Sequence, residues 1–325
     1  MNVSTGPLTS YEIVYDIASV TAHHDCPDIP FSIRENFLKG IDNPPPGTVI
    51  ERYLGYLDDE PVGYVELDFP QLDNLDIVGV DLLVLPEHRR RGVGRALYDL
   101  AVERAAVHNR KHLQASTVDR HPDGKAFAEA IGAKPGLAEL RSRLDVTALD
   151  DSLLASLRAE AEKHATGYTL RRWQDVPPDD LIDGVAYLEG RLNADAPRGD
   201  LTLEPEKMDA ARIREDMLTR QKRGRRSYQT AAVTGDRVVA WTWIVAEVDQ
   251  PAHAWQSTTI VDPEHRGHRL GMLVKLENLA YVREQRPALA AVDTFNAAEN
   301  AYMLKVNRAM GFRVADSWIE WQKDL

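Results

Sequence analysis

Val84-Leu85-Pro86-Glu87-His88-Arg89 returns as Val261-Asp262-Pro263-Glu264-His265-Arg266, a constant 177 residues later. Each copy closes an apolar run, breaks at a proline, and leads through a glycine-containing loop into a stretch whose apolar residues recur at helical spacing. The same offset aligns Pro61-Val62-Gly63-Tyr64 with Val238-Val239-Ala240-Trp241. A period this long is a whole domain rather than a solenoid repeat, so the chain reads as one fold written twice. The expected division is a first domain at 1–146, a helical linker at 147–167 and a second domain at 168–325.

Working outward, residues 11–17 read as a strand, 50–57 and 62–69 as a hairpin around Asp58-Asp59-Glu60, and 75–85 as a strand stopped by Pro86. A helix is expected at 92–107, then a strand at 113–118, a helix at 124–131 and a strand at 137–146. After a helix at 148–165 free of Gly and Pro, the order repeats. It runs strand 168–173, helices 178–192 and 206–222, a hairpin at 227–248 around Gly235-Asp236, strand 254–261, helix 267–283, strand 289–295, helix 297–310 and a closing strand at 312–321. Hairpins followed by strand–helix–strand predict a mixed α/β sheet in each half.

Composition narrows the class. A length of 325 residues suits two domains of about 150 each. No run of about 18 apolar residues is present, so no membrane span is expected, and the first residues lack the basic and apolar regions of a secretion signal. A single cysteine, Cys26, permits no internal disulfide and fits a reducing cytoplasm. No Cys/His cluster has metal-ligand spacing, so no metal is expected. The net charge of −12 argues against nucleic acid as a partner and suits a small cationic one, as well as plain solubility. Either a monomer or a homodimer is compatible with these features.

The loops carry the chemistry. In the first half Arg89-Arg90-Arg91-Gly92-Val93-Gly94-Arg95 opens a helix. A helix start exposes unpaired N–H groups and the positive end of its dipole, glycines let a phosphate approach closely, and arginines add charge-assisted contacts. Neither Gly-x-Gly-x-x-Gly nor Gly-Lys-Ser/Thr is present, which disfavours dinucleotide and P-loop readings.

Arg89, Gly92 and Gly94 match the Arg/Gln-x-x-Gly-x-Gly/Ala signature of the GNAT acetyltransferases, which the chain resembles over nearly its whole length. Arg266 and Gly271 repeat the match, with Arg269 where glycine is usual; Asn296 to Leu304 with Gly311-Phe312 resembles the family's second CoA segment. The layout is similar to tandem-lobe members of the mycothiol synthase type. The resemblance implies two tandem GNAT-like α/β domains and acetyl-CoA as cosubstrate. It implies main-chain contacts to the pantetheine arm from Leu83, Val84 and Leu85, and from Ile260, Val261 and Asp262. It assigns diphosphate contacts to Arg90, Arg91, Gly92, Val93, Gly94 and Arg95, and to His268, Arg269, Leu270, Gly271, Met272 and Leu273. Asn300 matches a CoA-contacting Asn, and His121 stands at that place in the first half. A helical backbone at Arg269 is expected to let its side chain be tolerated.

The family's thiolate-protonating tyrosine is replaced by Asn307 and Ala128, and Tyr302 is the hydroxyl nearest that place in sequence. Its fourth-strand acid is replaced by Trp255 and Val78, leaving His253 as the base best matched to neutrality. Asp76, Asp81 and Glu66 are first-half substitutes, and the Asn296/Glu299 spacing marks Asn296 as a helix cap. Trp241, Trp243 and Trp255 are candidates for an aromatic wall around a cationic acceptor. Asn193 and Asp195 lie in the region that borders the acceptor in this family. The expected function is acetyl transfer from acetyl-CoA to a small primary amine by direct attack, with the chemistry in the second half. The alternatives are a non-catalytic CoA-binding scaffold and acetylation of a cysteinyl sugar.

Overall fold

The computed structural model describes residues 2–325, the side chain of Asn193 excepted. The chain forms two compact units, and neither is continuous in sequence. The first takes residues up to Ala138 with Arg198–Glu204 and Ser317–Leu325; the second takes Glu139–Pro197 and Pro205–Asp316. Against the expected boundaries, residues 139–146 thus fall in the second unit and 317–325 in the first, while the expected linker is part of the second.

The first unit runs β1 (Val3–Pro7), α1 (Tyr11–Asp25), α2 (Arg34–Asp42), β2 (Thr48–Leu57), β3 (Glu60–Pro70), β4 (Ile77–Val84), α3 (Val93–Val107), β5 (His112–Val118), α4 (Pro122–Ala130) and the start of β6 (Lys134–Asp145). Its sheet has the order β1-β2-β3-β4-β5. The chain's last strand, β12 (Arg313–Asp324), then lies antiparallel to β5, from Trp318 opposite Val118 to Asp324 opposite His112. The hairpin turn places Asp58 and Asp59 at φ 49° and 68°, the left-handed pair whose twist matches the flanking strands.

One sequence expectation is corrected here. Residues 11–17 are not a strand but the first half of α1. The β-branched and aromatic residues mimic a strand, yet Ser10 caps the helix by accepting from the Glu12 N–H, and Val14, Ile17, Ala18 and Thr21 bury one face at helical spacing. That face packs on Leu54 and Tyr64, while α3 buries Val93, Leu97 and Ala101 against Val65, Leu67 and Val78 on the other side of the sheet.

The second unit runs α5 (Asp151–His164), β7 (Thr169–Gln174), α6 (Ile182–Gly190), α7 (Leu192–Asp195), α8 (Ala210–Lys222), β8 (Arg225–Thr234), β9 (Arg237–Glu247), β10 (His253–Val261), α9 (Leu270–Gln285), β11 (Ala291–Ala297) and α10 (Ala301–Met310). Its sheet order is β7-β8-β9-β10-β11, and β6 adds antiparallel to β11, from Ala297 opposite Glu139 to Ala291 opposite Asp145. Each unit therefore draws its sixth strand from the other half of the sequence. Among the described residues, no helix is long and apolar enough to cross a membrane.

Candidate functional site

The same opening occurs in both units. In the first, β4 and β5 pair in parallel only from Ile77 opposite His112 to Gly79 opposite Gln114. Beyond that β4 stays bonded to β3 as far as Val84 but has left β5. In the second, β10 and β11 pair only from His253 opposite Ala291 to Trp255 opposite Asp293, after which β10 continues along β9 alone. Each parted strand presents unpaired backbone groups to a gap, an edge ready for an extended ligand.

Each gap ends at a loop with the same backbone. Left-handed conformations occur at Arg90 (φ 62°) and Gly92 (φ 94°), and again at Gly267 (φ 88°) and Arg269 (φ 55°). These are the same two places under the 177-residue offset, with glycine and arginine exchanged. The helical backbone expected at Arg269 is thereby corrected. Its side chain is carried in a left-handed well and turns to Glu160, 3.5 Å away. The helices that follow, α3 and α9, have no side-chain cap, a property they share with α2, α4, α6 and α7; what sets them apart is the left-handed residue directly before each. Two uncapped helix starts with open N–H groups are anion sites in waiting. A Cβ added at Gly94 would meet nothing nearer than the Phe127 ring at 3.5 Å, and one at Gly271 nothing nearer than Val261 at 3.6 Å. The cradles therefore fit a diphosphate.

The loops differ in charge. Arg89 is engaged, its guanidinium bonding Asp25 at 2.8 Å, Asp123 at 3.3 Å and the Val84 carbonyl at 3.1 Å. Arg90, Arg91 and Arg95 are exposed, and among the described residues they form no ion pair. In the second unit Arg266 pairs with Asp195 at 3.0 Å, Arg269 faces Glu160, and His268 Nδ1 lies 3.1 Å from the His164 carbonyl. Leu83, Val84 and Leu85 are half-buried along the first gap. In the second, Ile260 is buried, Val261 half-buried, and Asp262 buried with its carboxylate accepting from the Glu264 N–H at 3.0 Å. His24, Asp25 and His121 bring metal-ligand atoms within 4.8 Å of one another, but the Asp25 carboxylate is already balanced by Arg89.

The remaining candidates separate. His253 is 6% exposed, on the part of β10 still paired with β11, and its Nε2 lies 3.0 Å from Asp293 Oδ2. Asp293 also accepts from Arg143 at 2.7 Å and Arg141 at 3.1 Å, and Arg141 donates to Asp316 at 3.0 Å. Burial alone would raise the Asp293 carboxyl, but Arg143 and His253 hold it at about 2. This is a buried charge network, and it keeps His253 away from the gap. Tyr302 is exposed, with its hydroxyl 3.9 Å from a Cβ built at Gly271, beside the start of α9. Asn300, not Asn296, caps α10 by accepting from the Met303 N–H at 3.1 Å, which corrects the expected cap. Asn296 instead accepts from Asn307 at 2.7 Å.

Trp241 and Trp243 are stacked at 6.1 Å and buried to 0% and 3% exposure among residues of α6 and α8, so they are core rather than an open wall. Trp255 stacks on Phe295 at 5.7 Å. Asp195 ties Arg191 to Arg266, and the side chain of Asn193 lies outside the described residues.

Sequence reasoning missed Glu189. This α6 carboxyl bonds the Thr258 side chain, and its Oε2 is buried without a partner. Thr258 sits in a bulge of β10 against β9, between Gln256 and Thr259, just past the point where β10 leaves β11. Burial, then Asp216 and Glu206, push the carboxyl up to about 7 against the opposing effects of Arg220 and Thr258. No spacing rule links residue 189 to 258; the bulge brings them together. In the first unit Glu66 accepts from Arg52 and Tyr64 at 2.6 Å each, and Asp81 lies opposite it on β4. Solvent reaches Asp81 although protein crowds it. That crowding, with the charges of Glu66 and Asp68, pushes its carboxyl to about 6.

Parted parallel strands, a left-handed loop and an uncapped helix are present in both units, a mixed α/β fold written twice. The model of the GNAT acetyltransferase family matches residues 11–133. A tandem GNAT protein from the clavulanic acid biosynthesis pathway is 30% identical over 99% of this chain and 98% of its own, with a TM-score of 0.81. The chain belongs to the GNAT acetyltransferase family, in its tandem two-domain form, and is a transferase. The fold is shared with a GCN5-related N-acetyltransferase from Sphaerobacter thermophilus at 16% identity (99% and 95% of the chains, TM-score 0.67). It is also shared with a glucosamine N-acetyltransferase region of a fungal β-N-acetylglucosaminidase at 12% identity (99% and 38%, TM-score 0.69). A search of curated proteins gives no match.

Proposed function

We propose that the protein transfers an acetyl group from acetyl-CoA to the primary amine of a small molecule, with the chemistry in the second unit and a second acetyl-CoA held by the first. The observation that supports this division is the difference between the two loops. Arg90, Arg91 and Arg95, exposed and with no carboxylate partner among the described residues, favour tight, lasting retention of a diphosphate. In the second unit the loop cations already have carboxylate partners, Asp195 and Glu160, which a diphosphate must displace. That suits a carrier that enters and leaves at each turnover.

Acetyl-CoA, when bound, supplies the activated acyl group. The N–H groups of residues 93–95 and of 270–273 would hold its diphosphate. The free edges of β4 and β10 would hold its pantetheine arm. Backbone N–H groups of the β10 bulge would orient the reacting carbonyl and stabilise charge on its oxygen. The net charge of −12 draws a cationic acceptor toward the protein.

Calorimetric titration with acetyl-CoA, combined with thiol release in the presence of amines, tests the reading. Wild type takes up two equivalents. Gly94→Glu removes the tighter one and turnover persists, whereas Gly271→Glu removes the weaker one and abolishes turnover. A Cβ meets only ordinary contacts at both positions, and circular dichroism of each variant separates repulsion of the diphosphate from misfolding. The reverse pattern moves the chemistry to the first unit.

A further inference from the structure

Trp243 and Glu189 converge on the β10 bulge from two elements. Along β9, Thr242 faces Thr259 and Ile244 faces Gln256, so Trp243 is the residue opposite the extra residue of the bulge. The Trp243 carbonyl accepts from Gln256 Nε2 at 2.9 Å, but its indole N–H is buried with no partner. Glu189 Oε2 is likewise buried with no partner, while the same carboxyl bonds Thr258 inside the bulge. Trp243 packs with α6 and α8, the helices that carry Glu189 and its charged neighbours Asp216 and Arg220. The Arg220 guanidinium lies 4.8 Å above the Trp243 ring and bonds Asp216 at 2.8 Å. A buried carboxylate oxygen left open beside the bulge is costly unless a donor completes it, and an ammonium group is such a donor.

We propose that Glu189, presented by α6 at the β10 bulge, accepts the proton of the incoming ammonium group, and that the acceptor is a small cationic amine brought to this carboxylate where β10 has left β11. The inference rests on acyl transfer taking place in the second unit. The step balances as follows: one ammonium proton passes to Glu189, the freed nitrogen lone pair forms the C–N bond to the acyl carbon, and the C–S bond breaks with its electron pair leaving on the thiolate. The second nitrogen proton goes to that thiolate or to water. His253 cannot serve, because its ring is buried against Asp293 where the strands are still paired.

The charged groups facing Glu189 are Asp216 and Arg220 of α8 and Glu206 of the preceding segment. Two negative neighbours against one positive favour the protonated acid, and they favour a cation beside it. Glu189 must be ionised to take a proton, so turnover rises with pH through about 7, the value to which its carboxyl is pushed. For folding the sign is opposite. The raised carboxyl binds its proton more tightly when folded, so its contribution to stability is complete at low pH and is lost as pH rises through about 7.

The test compares wild type with Glu189→Gln, using acetyl-CoA and a panel of alkylamines, diamines and amino sugars. The expected results for Glu189→Gln are unchanged acetyl-CoA binding, a loss of kcat on the order of 10²- to 10⁴-fold, and disappearance of the limb near pH 7. Independently of activity, the Tm of wild type should fall relative to Glu189→Gln as pH is raised from 6 to 8. Turnover that persists in Glu189→Gln, a limb that vanishes in Asp81→Asn instead, or parallel Tm curves each overturn this inference alone. A wild type that releases no thiol with any amine overturns it together with the acyl-transfer reading.

Discussion

Arg269 occupies the left-handed well at φ 55° and ψ 20°, directly before α9, where its counterpart in the first unit is Gly92. For an L-residue that conformation costs on the order of 1 kcal/mol. The compensation is a half-exposed contact with Glu160 at 3.5 Å, which belongs to a class worth about 0–1 kcal/mol. Arg269→Gly is therefore expected to raise stability by roughly 0.5–1 kcal/mol, read as a higher urea midpoint with unchanged slope. Gly267→Ala should do the opposite. Nothing lies within 4 Å of the added Cβ, so the loss of about 1 kcal/mol is purely conformational. A Gly267→Ala protein as stable as wild type would show that the loop can relax out of the left-handed well.

At the scale of elements, β6 and β11 are joined by charge as well as by backbone. Arg141 is fully buried and meets Asp293 and Asp316, and Asp293 meets Arg143 and His253. Removing Asp293 takes a carboxylate from the fully buried Arg141 and from the buried His253, so Asp293→Ala is expected to cost about 3–5 kcal/mol in chemical unfolding. The pH dependence follows from the lowered carboxyl. Asp293 contributes fully above its ordinary value of 3.8, and that contribution fades as pH falls through about 2. Acid unfolding of wild type should therefore be steep at the bottom of the range. In Asp293→Ala that segment of the curve should be flat.

The same scale explains what the sequence made legible. The repeated Pro-Glu-His-Arg stretch located both loops and both helix starts, because turn chemistry is local and survives in residue order. The strand read at 11–17 failed because two signals compete there, and a cap with i, i+3, i+4, i+7 burial outweighs β-branched content. The aromatic wall failed for a different reason. Period-two alternation puts Trp241 and Trp243 on one face, but only the packing of α6 and α8 decides that the face is core. Glu189 was illegible altogether, since its character depends on a one-residue bulge in a strand far along the chain.

Across the whole molecule, duplication of sequence is not duplication of folding units. The offset of 177 residues suggested a cut near residue 146, yet β6 beyond Ala138 completes the second unit and residues 317–325 complete the first. Trp321 is 4% exposed there and donates to Thr117 Oγ1 at 2.8 Å, a contact a severed first half lacks. A polypeptide of residues 1–146 alone is expected to unfold at markedly lower urea concentration, or without cooperativity, and to gain order when a peptide of residues 313–325 is added. A cooperative transition in 1–146 alone, indifferent to that peptide, would mean that β5 tolerates a bare edge.

The reciprocal sixth strands also bear on biosynthesis. As the nascent chain leaves the ribosome, the earlier half cannot seal its β5 border until the closing segment has been translated, some 200 residues after β5 itself. Through that interval an open edge waits, the kind of surface that chaperones shield and that a premature stop codon would leave exposed for good.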